Sequence, residues 1–107
     1  METNPELIAN EAEAAARRIA GIVRETPLRR SAAFSDAVGA DVYFKLENRQ
    51  HTGSFKLRGA TNCLMALPAE QRDAGCVTAS SGNHGAAVAS AMRELGVDGV
   101  IFVPGHT

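Results

Sequence analysis

The stretch CVTASSGNHGAAVASAMRELGVDGVIFV, residues 76–103, decides the fold. Cys76-Val77-Thr78-Ala79 is a short apolar run with β-formers, which predicts a buried strand. Ser80-Ser81-Gly82-Asn83 follows as a tight polar loop, and Val88, Ala91, Met92 and Leu95 then recur on one side of a helix. Gly96 stops that helix, and Val100-Ile101-Phe102-Val103 is the next strand before Pro104-Gly105. Strand, helix and strand in this order predict an α/β fold with a parallel, doubly wound sheet.

Upstream, Ser54 can cap a helix whose inner face is Leu57, Ala60, Thr61 and Leu64 and which ends near Pro68. Before it, Asp41-Val42-Tyr43-Phe44-Lys45-Leu46-Glu47 alternates and is rich in β-formers, so a strand is expected there. A second amphipathic stretch runs from Ser31 to about Val38 and stops at Gly39. At the N-terminus, Asn4-Pro5-Glu6 joins a capping side chain, a proline suited to the first helical position and an acid, which marks a helix start. Ile8, Ala12, Ala15, Ile19 and Ile22 keep the spacing of one buried stripe. Thr26-Pro27 ends that helix, because the residue before proline avoids the helical region, and leads into a short extended piece.

The chain has 107 residues, room for one modest core. Lys and Arg number 11 against 12 Asp and Glu, a net charge of −1, which argues against nucleic acid or a membrane surface as partner. At 45% hydrophobic and 21% charged, the composition is that of an ordinary folded protein. No run reaches the length of a membrane span and no signal-peptide pattern opens the chain, so a cytoplasmic protein is expected. Cys63 and Cys76 lie far apart, and His51, His84 and His106 lack ligand spacing, so no metal site is expected in this segment. A strand at residues 100–103 wants a following helix, and so few strands cannot bury both faces of a parallel sheet. The chain therefore reads as the N-terminal piece of a longer protein.

Two places break or exceed the local rules. Lys56 falls in the first turn of a helix, where the macrodipole disfavours cations, and Arg58 follows it. The dipole and partial burial would make such an amine nucleophilic near neutral pH, whereas a solvated surface lysine is the plain alternative. The loop Ser80-Ser81-Gly82-Asn83-His84-Gly85 has the layout of an anion cradle at a helix N-terminus, with hydroxyl and amide donors added. A carboxylate suits it; an ordinary capped turn has the same local features. Neither a G-x-G-x-x-G motif nor a P-loop is present.

Taken together, Lys45-Leu46-Glu47-Asn48, the run Thr52-Gly53-Ser54-Phe55-Lys56-Leu57-Arg58-Gly59-Ala60 and Ser80-Ser81-Gly82-Asn83-His84-Gly85 closely resemble the pyridoxal-phosphate enzymes of fold type II. Within that tryptophan-synthase-β-like fold they resemble the serine/threonine dehydratase and serine racemase branch, over about residues 24–107. The resemblance implies pyridoxal 5'-phosphate as cofactor and assigns roles residue by residue. Lys56 matches the lysine that holds the cofactor and later shuttles the Cα proton. Phe55 matches the aromatic packed by the cofactor ring, and Asn83 the amide that bonds the cofactor's 3-oxygen. Ser80, Ser81, Gly82, Asn83 and His84 match the loop that grips the substrate carboxylate. Ser81 also matches the serine that acts as acid and base opposite the lysine in racemases.

Leu57 and His84 favour this branch, since cysteine and threonine synthases usually have Asp and Thr there. Ser81 stands where biosynthetic threonine dehydratases commonly have Ala, which keeps racemisation and 3-hydroxyaspartate elimination in play. His51 replaces the lysine usual in racemases that bind ATP, which speaks against nucleotide activation. The implied activity is β-elimination of water from L-threonine or L-serine to a 2-oxo acid and ammonia. Serine racemase and 3-hydroxyaspartate ammonia-lyase are the alternatives within the family, and an inactive fragment or amino-acid-binding paralogue is the alternative outside it. The expected organisation is an N-terminal helix and strands over 1–48 and the start of a small α/β domain over 49–107. The phosphate-binding glycine loop and divalent-cation ligands of the family match regions beyond Thr107, and relatives are commonly dimers, so a homodimer is expected.

Overall fold

The computed structural model describes residues 4–106, so residues 1–3 and 107, the ends of the expected 1–107 unit, lie outside the described residues. Asn4 caps the first helix, α1 (Pro5–Ile19), its side chain accepting the Glu6 N–H at 3.0 Å. α1 ends well before Thr26-Pro27. Gly21 adopts φ +82°, and the Ile22 and Val23 N–H groups both turn back to the Ile19 carbonyl. The expected stripe is buried only at Ile19; Ile8 is 54% exposed and Ala12 is exposed too.

Strand β1 (Leu28–Arg30) pairs antiparallel with β2 (Tyr43–Lys45), with Arg29 opposite Phe44. Between them α2 (Ala32–Val38) is capped by Ser31, whose hydroxyl accepts the Phe34 N–H at 3.3 Å, and is closed by Gly39 at φ +67°. β2 is shorter than the alternation over residues 41–47 suggests. Its side chains stay exposed on both faces, and Glu47 begins a 3-10 turn, Glu47–Arg49.

The second part follows the expected order, with one short helix after Pro68 that the sequence reading did not include. Helix α3 (Lys56–Ala66) leads into a short helix α4 (Ala69–Asp73), then strand β3 (Cys76–Ala79), helix α5 (Asn83–Leu95) and strand β4 (Gly99–Phe102). β3 and β4 pair in parallel, with Val77 opposite Val100 and Ala79 opposite Phe102, as the strand–helix–strand reading requires. Gly96 at φ +65° ends α5, and both its N–H and that of Val97 return to the Met92 carbonyl, a C-terminal cap that favours glycine. Leu64 of α3 packs with Val88, Ala91 and Met92 of α5, and Cys76, Leu95, Val97 and Ile101 surround them. Burying an aliphatic side chain of this size contributes about 1.5–3 kcal/mol.

β3, expected as a buried strand, is covered on one face only. Cys76 and Thr78 are half-buried, whereas Val77 is 71% exposed, on the same face as the exposed Val100 and Phe102. Period-2 alternation puts one face of this small parallel sheet on the helices and leaves the other open. Two glycines fix the close packing. A Cβ on Gly99 would lie 2.3 Å from the Cys76 carbonyl oxygen and 2.4 Å from the Met92 sulfur, and one on Gly85 would lie 2.5 Å from the Ser80 carbonyl oxygen.

Candidate active site

Helices α3 and α5 both begin on one open cleft of about 390 Å³. Lys56, the first residue of α3, and His84, in the first turn of α5, line it together with Thr78 of β3. The rest of the wall is mostly apolar, including Ala60, Leu64 and Val88. Thus residues distant in sequence, a primary amine and the polar loop's imidazole, share one site. A larger cleft of about 620 Å³ lies between α1 and α3, walled by Ala12, Ala15, Ala16 and Ile19. Its Lys45 and Arg58 already donate to the Thr26 carbonyl and to Glu47, so no uncommitted amine faces it.

Lys56 is exposed, which corrects the expected partial burial of its amine. Its Nζ lies 5.4 Å from the centre of the Phe55 ring, and no carboxylate pairs with it among the described residues. Ser54 is not the helix cap. Phe55 occupies the capping position with helical backbone angles and makes no side-chain cap bond, so Ser54 sits one residue too early. The Ser54 and Thr52 hydroxyls are instead buried without a hydrogen-bond partner, just before Lys56.

In the second loop, Ser80 Oγ accepts the Gly82 N–H at 3.2 Å, and the Gly82 carbonyl accepts the Ala86 N–H of the first turn of α5. The first-turn amides of Asn83, His84 and Gly85 are left as donors at the helix end. Ser81, Gly82, Asn83 and His84 are exposed and Ser80 is half-buried. Gly85 lets the helix press against Ser80, since any side chain there would strike that carbonyl. Of these residues only His84 is part of the cleft wall; Ser80 to Asn83 and Phe55 flank it along the chain. Sequence reasoning missed Thr78, whose Oγ1 lies 3.1 Å from His84 Nε2 and steadies the imidazole. A threonine inside an otherwise aliphatic strand was the available signal.

It also missed a polar cluster behind α3. Arg58 donates from Nε to Glu47 Oε2 at 3.0 Å and from its terminal nitrogen to Glu47 Oε1 at 2.9 Å, a forked ion pair. Thr26, 3% exposed, donates to the same carboxylate, and Arg58 also reaches the Arg24 carbonyl and the Thr26 hydroxyl, each at 3.3 Å. Gln50, 4% exposed, binds Arg24 twice: its amide oxygen accepts the Arg24 N–H at 2.8 Å and its amide nitrogen donates to the Arg24 carbonyl at 2.9 Å. The Arg58 hydrogen bond holds the Glu47 carboxyl at about 2, below its ordinary 4.5, with burial opposing and the Thr26 hydroxyl assisting. The same bond raises the Arg58 guanidinium.

The site joins a free amine and the polar start of a second helix on one largely apolar cleft of an α/β fold. The pyridoxal-phosphate dependent enzyme family matches residues 19–107, and the chain belongs to it. A biosynthetic L-threonine dehydratase from Corynebacterium glutamicum is 44% identical over 100% of this chain and 25% of its own length. A serine racemase from Dictyostelium discoideum is 38% identical over 97% of this chain and 32% of its length. The solved structure of maize serine racemase superposes with a TM-score of 0.80 at 43% identity, covering 89% of this chain and 30% of that one. The chain thus spans a quarter to a third of the length of these relatives. The resemblance, the fold type and the family's cofactor, pyridoxal phosphate, are borne out. Ser81 pointed away from biosynthetic threonine dehydratases, yet proteins of that name stand among the similar relatives.

The residues present fit that cofactor. An unpaired primary amine suits an aldehyde, a mostly apolar cleft suits a flat ring, and the first-turn amides of α5 suit an oxygen. Among the described residues, no group of three or more His, Cys, Asp or Glu side chains could hold a metal, and no helix is long and apolar enough to cross a membrane.

Proposed function

We propose that this chain forms the N-terminal part of the catalytic domain of a pyridoxal-phosphate-dependent ammonia-lyase that removes water from L-threonine or L-serine. The observation that carries this reading is the meeting of Lys56 and the His84 loop at one cleft. Its support comes also from relatives named threonine dehydratase and L-threonine ammonia-lyase. Residues 1–48 are the N-terminal helix and strands and residues 49–107 begin the small α/β domain.

In this reading Lys56, Phe55 and Asn83 would hold the cofactor, Lys56 through its Nζ at the aldehyde, Phe55 beside the ring and Asn83 as a donor to the 3-oxygen. When bound, pyridoxal phosphate supplies an electron sink for the substrate's Cα. Ser80, Ser81, Gly82, Asn83 and His84 hold the substrate carboxylate with hydroxyl and helix-end donors, and Thr78 keeps the His84 ring in place. Lys56 Nζ would take the Cα proton, and the β-hydroxyl would leave with a proton as water. The unsaturated amine then hydrolyses to a 2-oxo acid and ammonia. The protein is a homodimeric, cytoplasmic enzyme on the resemblance alone.

One observation favours a second reading. Ser81 is exposed beside the α5 helix end, and the solved neighbours include serine racemases and an aspartate racemase. A proton delivered from Ser81 to the face opposite Lys56 would invert Cα instead of expelling the hydroxyl. The test is a panel of L-threonine, L-serine and 3-hydroxyaspartate presented to the complete gene product, with 2-oxo acid and D-amino acid both measured. Release of 2-oxo acid from threonine or serine is expected. Net D-serine formation in its place would select the racemase, and binding without turnover would leave an amino-acid-binding paralogue.

A further inference from the structure

The run from Gln50 to Arg58, which carries Lys56, is pinned at both ends to one short segment, Arg24 to Thr26. At its start Gln50 exchanges hydrogen bonds with both backbone groups of Arg24, at 2.8 and 2.9 Å, and also accepts the His51 N–H at 3.1 Å. At its end Arg58 reaches the Arg24 carbonyl and the Thr26 hydroxyl and is itself held by the Glu47 fork. Between these anchors lie a turn closed by Gly53 N–H to the Gln50 carbonyl at 2.9 Å, two unpartnered hydroxyls and the uncapped start of α3. The helix thus begins without the usual side-chain cap and with two cations in its first turn, both unfavourable. Glu47 compensates Arg58 and leaves Lys56 unpaired.

We propose that the Glu47–Arg58–Gln50 cluster is a positioning clamp, which fixes where α3 begins and so where Lys56 presents its amine. This rests on the reading of Lys56 as the cofactor's lysine. Glu47, Arg58 and Gln50 do not line the Lys56 cleft; they act through the backbone of residues 50–58. A forked guanidinium–carboxylate pair suits the task because it fixes orientation as well as distance. An amine displaced by even about 1 Å from its reacting carbon can cost on the order of 100-fold in rate.

The experiment compares Arg58→Lys and Glu47→Gln with Met92→Ala, a core change away from the cleft, in the complete protein. Amide exchange over residues 55–59 is measured without cofactor. The rate at which added pyridoxal phosphate becomes trappable by borohydride on Lys56 is measured next, followed by kcat and KM. Clamp variants should raise the exchange about tenfold, slow attachment at least about tenfold and lower kcat with KM within about twofold. Met92→Ala, at comparable loss of stability, should change none of these. Should Glu47→Gln fail to fold, Arg58→Lys, which keeps the cation and loses the fork, carries the comparison. Attachment at Lys56 with unchanged rate and exchange in the clamp variants overturns the clamp alone. Labelling of the unsubstituted protein at another lysine overturns the functional reading and the clamp with it.

Discussion

Around Leu64, Val88, Ala91 and Met92 the chain is held by apolar burial, whereas around Thr26, Glu47, Gln50 and Arg58 it is held by hydrogen bonds among polar side chains. The two regions sit on either side of α3 and do different work. The aliphatic side joins α3 to α5, with Leu64 and Val88 also lining the cleft and Met92 lying away from it. The polar side sets the register and direction of α3's first turn. Apolar contacts are non-directional and tolerate sliding; forked hydrogen bonds do not. A site that must place one amine draws on both.

The contrast can be broken most severely at the tightest contact. Gly99→Val forces a side chain into backbone and the Met92 sulfur, so β3, β4 and α5 cannot keep their packing. We expect no folded protein, read as loss of a cooperative urea transition. A folded Gly99→Val protein of normal stability would show that this core is far looser than described. Leu64→Ala, which leaves a cavity between α3 and α5, should cost about 2–5 kcal/mol in the same assay.

The polar side has a different signature, pH. Glu47 titrates near 2 in the folded chain and near 4.5 when unfolded, so its contribution is fully present above pH 4.5. It is lost progressively as pH falls through about 2, for a total of up to about 3 kcal/mol. Glu47→Gln should flatten the acid limb of a stability–pH curve, while Leu64→Ala shifts the whole curve down without changing its slope. Equal slopes for the two variants would erase the distinction between the regions. The smallest effect is expected at the surface: Glu13→Ala removes an exposed pair with Arg17 and should change stability by less than about 0.5 kcal/mol.

The aliphatic region was legible in the sequence because its order is periodic and local. Val88, Ala91, Met92 and Leu95 announce a helix face, and Gly96 its end. The candidate site was legible for another reason: Lys56 and the Ser80 to His84 loop each violate or enrich a helix start within a few neighbouring residues. The polar cluster has neither property. Thr26, the turn carrying Glu47 and Gln50, and Arg58 come from three places in the chain, and each reads alone as an ordinary surface feature. Thr26, taken with Pro27 as a helix terminator, is instead a buried hydroxyl bonded to Glu47. The early end of α1 was hidden by Gly21, whose left-handed turn overrides an apolar spacing that continues through Ile22. Ser54 carried the chemistry of a cap, but α3 starts a residue later, at Lys56, and the Ser54 hydroxyl makes no cap bond. The open face at Val77, Val100 and Phe102 shows the same limit, since β-forming residues do not say which face is covered.

The account turns on Lys56, and covalent trapping tests it most directly. The complete protein is incubated with pyridoxal phosphate, reduced with borohydride and digested, and the pyridoxyl-bearing peptide is sequenced. The label is expected on Lys56, with Lys45 protected by its hydrogen bond to the Thr26 carbonyl. A label on Lys45, or none at Lys56 under saturating cofactor, would contradict the account.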